Sequence, residues 1–126
     1  MSDELYKVAV DYASRAHAPY SKYLVGAAIK TKCGKIFGGC NVENASYGGT
    51  VCAERTAILK AVSDGYKEFD EILVFTDSEE PWPPCAICQQ TMAEFMTKTA
   101  IVYLSNKKGL QKKMQYGDIN PFPFKL

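Results

Sequence analysis

The sequence predicts an α/β fold in which one mixed β-sheet carries helices on both faces. Three observations point there. Helical and strand periods alternate along the chain in the order α-β-β-α-β-α-β. The short apolar runs "YLVGAAIKT", "EILVFTD" and "TAIVYLS" read as strands, "EILVFTD" as a buried one. At 126 residues and 47% hydrophobic, the chain suffices for one core without disulfide staples, so a single domain over 1–126 is expected.

The elements follow in order. Residues 3–17 repeat apolar side chains at helical spacing through Leu5, Val8, Ala9, Tyr12, Ala13 and Ala16, with Ser2 as N-cap and the "HAPY" proline ending the helix. "YLVGAAIKT" and "KIFGGCNVE" flank "KCGK" and predict a β-hairpin. "NASYGGT" is a loop. Residues 52–64 predict a helix closed by Gly65, the usual left-handed C-terminal residue. "EILVFTD" is a strand and "EEPWPP" a proline-stiffened loop. Residues 85–96 predict a helix with Pro84 at its first position, and "TAIVYLS" is the last strand. "NKKGLQKK" (106–113) reads as a solvated loop, and the tail "YGDINPFPFKL" has no period.

Net charge is +1, which provides no basic field for a nucleic-acid track. No run approaches the ~18–20 apolar residues of a membrane span, and the charged N-terminus lacks the apolar centre of a signal peptide. A cytoplasmic location is the default expectation. In that reducing setting an odd set of five cysteines speaks for metal or catalysis over disulfides.

Two stretches concentrate that chemistry. In "TVCAERTAILK" Cys52 and Glu54 open a helix; in "PWPPCAIC" Cys85 and Cys88 open another. Helix N-termini favour thiolate over thiol. Three thiolates make a zinc site with a fourth position free, the pattern of catalytic zinc. Glu54 and Cys52 are about 200° apart around a helix, so they converge only on something beyond its N-terminal end. The sole histidine, His17, is read as a partly exposed helix-end residue, and Cys33 and Cys40 as structural.

C-x-E followed by P-C-x-x-C is the pattern of zinc-dependent base deaminases, in its three-cysteine form. Together with "APYSKYLVGAA", "GCNVENASY", "CAERTAILKAV", "PCAICQQ" and the terminal "PFPF", it makes the chain resemble, nearly end to end, the small homotetrameric zinc-dependent cytidine deaminases of free nucleosides.

The resemblance implies a three-layer α/β/α sandwich with one mixed five-stranded sheet. It also implies one zinc per chain on Cys52, Cys85 and Cys88, and hydrolytic loss of ammonia from C4 of cytidine or deoxycytidine, a pyrimidine-salvage step in which Glu54 moves the protons. It assigns Arg55 to the zinc-binding sulfurs and Gln90 to the surrounding polar network. Tyr23 would pack on the pyrimidine, Asn41 and Glu43 would grip the ribose, and the Ala53 amide would hold the base carbonyl. The Pro83 carbonyl could accept from the cytosine amine. Phe124, three residues after Pro121, would enter a neighbouring subunit's site, and Tyr47 would lie near a subunit contact. Gln89 stands where the family usually has a second arginine, which leaves the local charge balance open. Two rivals remain at this level: a zinc deaminase of another nucleoside, such as an antibiotic one, and a non-catalytic zinc or redox module.

Overall fold

The computed structural model describes residues 2–126. Helix α1 (Ser2–Ala13) precedes the hairpin β1 (Val25–Thr31) and β2 (Ile36–Cys40). Helix α2 (Ala53–Ser63), strand β3 (Phe69–Thr76), helix α3 (Ala86–Phe95) and strand β4 (Ile101–Asn106) follow. Strand β5 (Gly109–Gln115) and the short α4 (Tyr116–Ile119) complete the order. The sheet runs β2-β1-β3-β4-β5. Only β3 and β4 are parallel, joined by the α3 crossover; every other pair is antiparallel. The fold is thus the expected mixed five-stranded sheet between helical layers.

The period-2 alternation of β3 divides the core. Leu73 and Phe75 face α1 and pack with Leu5, Ala9, Ala13 and Ala28. Ile72 and Val74 face the other way and pack with Ala27, Ile29, Ala57, Ile58 and Met92 under α2 and α3. Both helical layers sit on glycine. A Cβ on Gly26 would lie 1.8 Å from the Ala9 carbonyl oxygen, and one on Gly39 would lie 2.5 Å from the Ala57 nitrogen. These approaches are closed to any residue with a side chain.

Several expectations need correction. Helix α1 stops at Ala13, because Arg15 and Ala16 donate to Tyr12 and Ala13 in i→i−3 bonds that tighten its last turn. Ser2 is the first helical residue, not a cap outside it. His17 lies beyond the helix, where its N–H donates to the Asn41 carbonyl and its carbonyl accepts from Glu43 N. Cys85, not Pro84, is the N-cap of α3, which puts Pro84 one position outside. Residues 106–113 are no loop: they turn at Gly109 (φ +104°) and continue as the edge strand β5. That strand is largely exposed, so it lacks the apolar face by which a strand is recognised, and its lysines guard the free edge. The tail contains one helical turn, α4, whose buried Tyr116 anchors it. The fold positions the helix starts decisively: α2 and α3 share one side of the sheet, and both begin beside the C-terminal end of β3.

Candidate active site

Cys52 is the N-cap of α2 and Cys85 the N-cap of α3, and neither side chain is spent on capping. Cys88 lies in the first turn of α3 and is fully buried. Tetrahedral zinc with Zn–S bonds of about 2.3 Å separates neighbouring sulfurs by about 3.8 Å. The Cys52 and Cys85 sulfurs lie 3.7 Å apart, and all three lie within 4.8 Å of one another. The donor set and its spacing therefore fit one zinc ion.

Hydrogen bonding from the Cys88 thiol, with help from Arg55 and Cys85, pulls the Cys52 thiol well below its ordinary pKa. The Cys88 thiol is pushed up by that same interaction and by burial. Arg55 Nη2 donates to Cys52 Sγ at 3.8 Å and to the Thr50 carbonyl at 3.2 Å. Its Nε is buried without a partner, a donor suited to a thiolate cluster. Three thiolates on a divalent ion leave a net −1, which this guanidinium offsets. Gln89, in place of a second arginine, instead donates its amide to the Pro84 carbonyl at 2.9 Å and so braces the α3 entry.

Beside the sulfurs, Glu54 is only 5% exposed. Burial raises its carboxyl to about pH 7, where it exchanges protons near neutrality. It forms the floor of a cavity of 280 Å³ that also reaches Tyr23, Asn41, Glu43, Ala53 and Pro83. The structure thus brings together eight of the proposed groups: the metal-binding Cys52 and Cys85, with Glu54, Ala53, Asn41, Glu43, Tyr23 and Pro83, around one space.

The cavity mouth is built on a sharp turn. Lys22 adopts φ +68°, in the left-handed region. This swings Ser21 onto Glu43, whose Oε1 accepts from Tyr20 N (3.0 Å) and Ser21 N (3.1 Å) and whose Oε2 accepts the Ser21 hydroxyl at 2.5 Å. These bonds, the Ser21 hydroxyl first, hold the carboxyl below the usual carboxylate range. Asn41 is partly committed to the scaffold. Its Oδ1 accepts from Val25 N and its Nδ2 donates to the Tyr23 carbonyl, both at 2.9 Å. That still leaves a second amide hydrogen and a lone pair.

Four of the named residues do not line this space: Cys88 and Arg55, placed at the sulfurs, and Gln90 and Phe124. Gln90 donates its amide to the Phe124 carbonyl at 3.0 Å rather than lining the cavity. Phe124 is 67% exposed and does not reach the cavity of its own chain. Tyr47 stands exposed in a 3-10 turn, its ring edge-on to Tyr20 at 5.8 Å. Conversely, nothing in the motif spacing marks Trp82 or Thr76, yet both border the cavity. Trp82 meets the Tyr23 ring at 4.7 Å. Thr76 is fully buried with its hydroxyl unpartnered.

Comparison with known proteins agrees with this geometry. The family model described as the cytidine and deoxycytidylate deaminase zinc-binding region matches residues 1–104. A cytidine deaminase of Sporosarcina psychrophila is 50% identical over 95 residues, which span 75% of this chain and 70% of that protein. A cytidine deaminase of Halalkalibacterium halodurans is 42% identical over 120 residues, covering 95% of this chain and 91% of that one. The crystal structure of a cytidine deaminase from Burkholderia pseudomallei superposes with a TM-score of 0.93 at 42% identity, over 98% of this chain and 99% of that one. The sulfur cluster at two helix starts, the buried carboxylate beside it and the match over most of the sequence agree: the chain belongs to the cytidine and deoxycytidylate deaminase zinc-binding family.

Proposed function

We propose that this protein, a single domain over residues 1–126, deaminates free cytidine and deoxycytidine hydrolytically, yielding uridine or deoxyuridine and ammonia. The observation that carries this is the burial of the Glu54 carboxyl, poised near neutrality, directly beside a three-sulfur cluster at the floor of a cavity.

Zinc held by Cys52, Cys85 and Cys88 would supply Lewis acidity, lowering the pKa of water so that it attacks at neutral pH. The chain's own groups do the rest. Glu54 takes a proton from the attacking water and delivers it to N3 of the pyrimidine. It then takes the remaining proton of the hydroxyl added at C4 and, as the C4–N4 bond breaks, delivers it to the departing amine, so the oxygen stays as the new carbonyl and ammonia is released. The Ala53 N–H, at the open end of α2, points a donor at the base carbonyl, and the Pro83 carbonyl accepts from the 4-amine. Tyr23 packs on the ring. Glu43 and the free valences of Asn41 bind sugar hydroxyls. Arg55 holds charge on the sulfurs.

The cavity favours a nucleoside over a nucleotide. Its walls within this chain carry the Glu43 carboxylate and no lysine, arginine or histidine to pair with a phosphate. Purified protein should release ammonia from cytidine and deoxycytidine and leave cytidine 5′-monophosphate at least about tenfold behind in kcat/KM. Preference for the monophosphate would overturn the nucleoside assignment.

The assembly belongs to the same proposal. A homotetramer in which Phe124 completes a neighbour's site accounts for an exposed aromatic tail held by its backbone on Gln90. A chain truncated before Asn120, co-expressed with Glu54→Ala chains, should recover activity in mixed oligomers, with about a quarter of sites competent under random mixing. Hetero-oligomers no more active than their parents would confine each site to one chain. A cytoplasmic location is part of the proposal; separately, no helix among the described residues is long and apolar enough to cross a membrane.

A further inference from the structure

The chain has one tryptophan, Trp82, which the deaminase pattern leaves without a role. It stands in the loop between β3 and α3, with Pro81 before it and Pro83 and Pro84 after it. Three prolines restrict the backbone on both sides of the indole. Farther back, the buried Asn106 donates its amide to the Glu79 carbonyl at 2.7 Å and ties the loop to the end of β4. Trp82 is nevertheless 40% exposed, and Tyr23 43%. Two large aromatic faces are thus held in fixed positions at a polar cavity.

The indole and the Tyr23 ring meet at 4.7 Å with 62° between their planes. They form a corner, not a sandwich. A flat base lying on the Tyr23 ring therefore presents an edge to Trp82. The sheet indicates which edge. Val25 is paired with Thr76 across β1 and β3, and Asn41 continues the row on the other side of Val25, donating its N–H to the Val25 carbonyl. Asn41 and Thr76 stand two strand spacings apart, roughly 10 Å. With the sugar at Asn41 and Glu43, the loop that leaves β3 after Thr76 lies at the pyrimidine end. Glu54 and Ala53, at the start of α2, take the N3 and carbonyl edge. The opposite edge of the ring, C5 and C6, is left for the aromatic corner.

Behind that corner is a second cavity, of 610 Å³, which shares Tyr23 and Trp82 as its wall and is bordered on its far side by Asp77, Glu79, Lys107 and Lys108. Its lysines are turned onto its acids: Lys107 Nζ lies 2.9 Å from Asp77 and Lys108 Nζ 4.0 Å from Glu79. Tyr23 and Trp82 are the two residues that line both this space and the substrate cavity.

Building on the nucleoside reading above, we infer that Trp82 contacts the bound pyrimidine at C5 and sets the size limit there, making it a specificity-determining residue of the deaminase. Removing the indole opens the substrate cavity into the space behind it and admits a group on C5.

The test uses the full zinc-loaded enzyme with cytidine and 5-methylcytidine, comparing wild type, Trp82→Phe and Trp82→Ala. Since Trp82 is the only tryptophan, its emission also reports occupancy directly in the wild type. Titration with uridine should change that emission saturably. The ratio of kcat/KM for 5-methylcytidine to that for cytidine should rise at least about tenfold in Trp82→Ala, with Trp82→Phe in between. A ratio within twofold of wild type, an equal loss on both substrates, or emission unmoved by saturating uridine would overturn it. Should Trp82→Ala not fold, Trp82→Leu carries the same expectation. Failure of the underlying nucleoside reading looks different: the wild type would not turn over cytidine at all.

Discussion

The two faces of the sheet are built from the same strand and serve different ends. Beneath α1, Leu73 and Phe75 meet Leu5, Ala9 and Ala13 in an apolar layer, and the half-buried Glu71 at its margin accepts from the Tyr103 hydroxyl at 3.0 Å. Beneath α2 and α3, Ile72 and Val74 begin an equally apolar layer. At the C-terminal end of β3, however, it gives way to Thr76, whose buried hydroxyl has no partner, and to the buried Glu54 beside the Cys52, Cys85 and Cys88 sulfurs. Burying a carboxyl costs stability. A protein carries that cost where a ligand or a reaction uses the group. One face therefore holds the sheet together, and the other spends part of its packing on chemistry.

Substitutions can separate the two faces, and the largest effect is expected at the sulfurs. Cys88→Ala should lose zinc and activity together, read as metal content by mass spectrometry beside turnover; full zinc occupancy in that variant would remove Cys88 from the set. Next comes Glu54→Gln, which should keep its zinc and lose about 10² to 10⁴ in kcat. Near-normal turnover would make Glu54 a packing residue like those of the α1 face.

On the α1 face the expectation inverts. Leu5→Ala should cost about 2–5 kcal/mol of stability through the cavity it leaves, measured by denaturant titration, while kcat of the folded enzyme stays within about twofold of wild type. A large fall in kcat at unchanged stability would show that the faces are coupled. The smallest effect belongs to the exposed edge: Lys112→Ser on β5 should change stability by no more than about 0.5 kcal/mol, and a larger loss would mean that the edge is covered by something beyond this chain.

Legibility in the sequence follows the same division. The residues at the two helix starts were readable because their spacing is local: Cys52 with Glu54, and Cys85 with Cys88, each fall within a single turn. Strand β5 was missed from its own residues, because an exposed lysine-bearing edge has no apolar alternation and is specified by pairing with β4. Trp82 was missed because its place depends on a ring 59 positions earlier in the chain, Tyr23. The Asn41 amide, expected to face the sugar, also pins β1 to its neighbour, a duty visible only once Val25 and Tyr23 are in place. The destination of Gln90 depended likewise on where the tail lies.

The central claim is that a zinc ion on three cysteines and the buried Glu54 act together on cytidine. It is tested most directly by measuring zinc per chain and ammonia released from cytidine on the same preparations of wild type and Glu54→Gln. One zinc per chain is expected in both proteins, with ammonia from the wild type at a rate at least about a hundredfold above the variant. Zinc at full occupancy in both, with equal rates or with no ammonia from either, would contradict it.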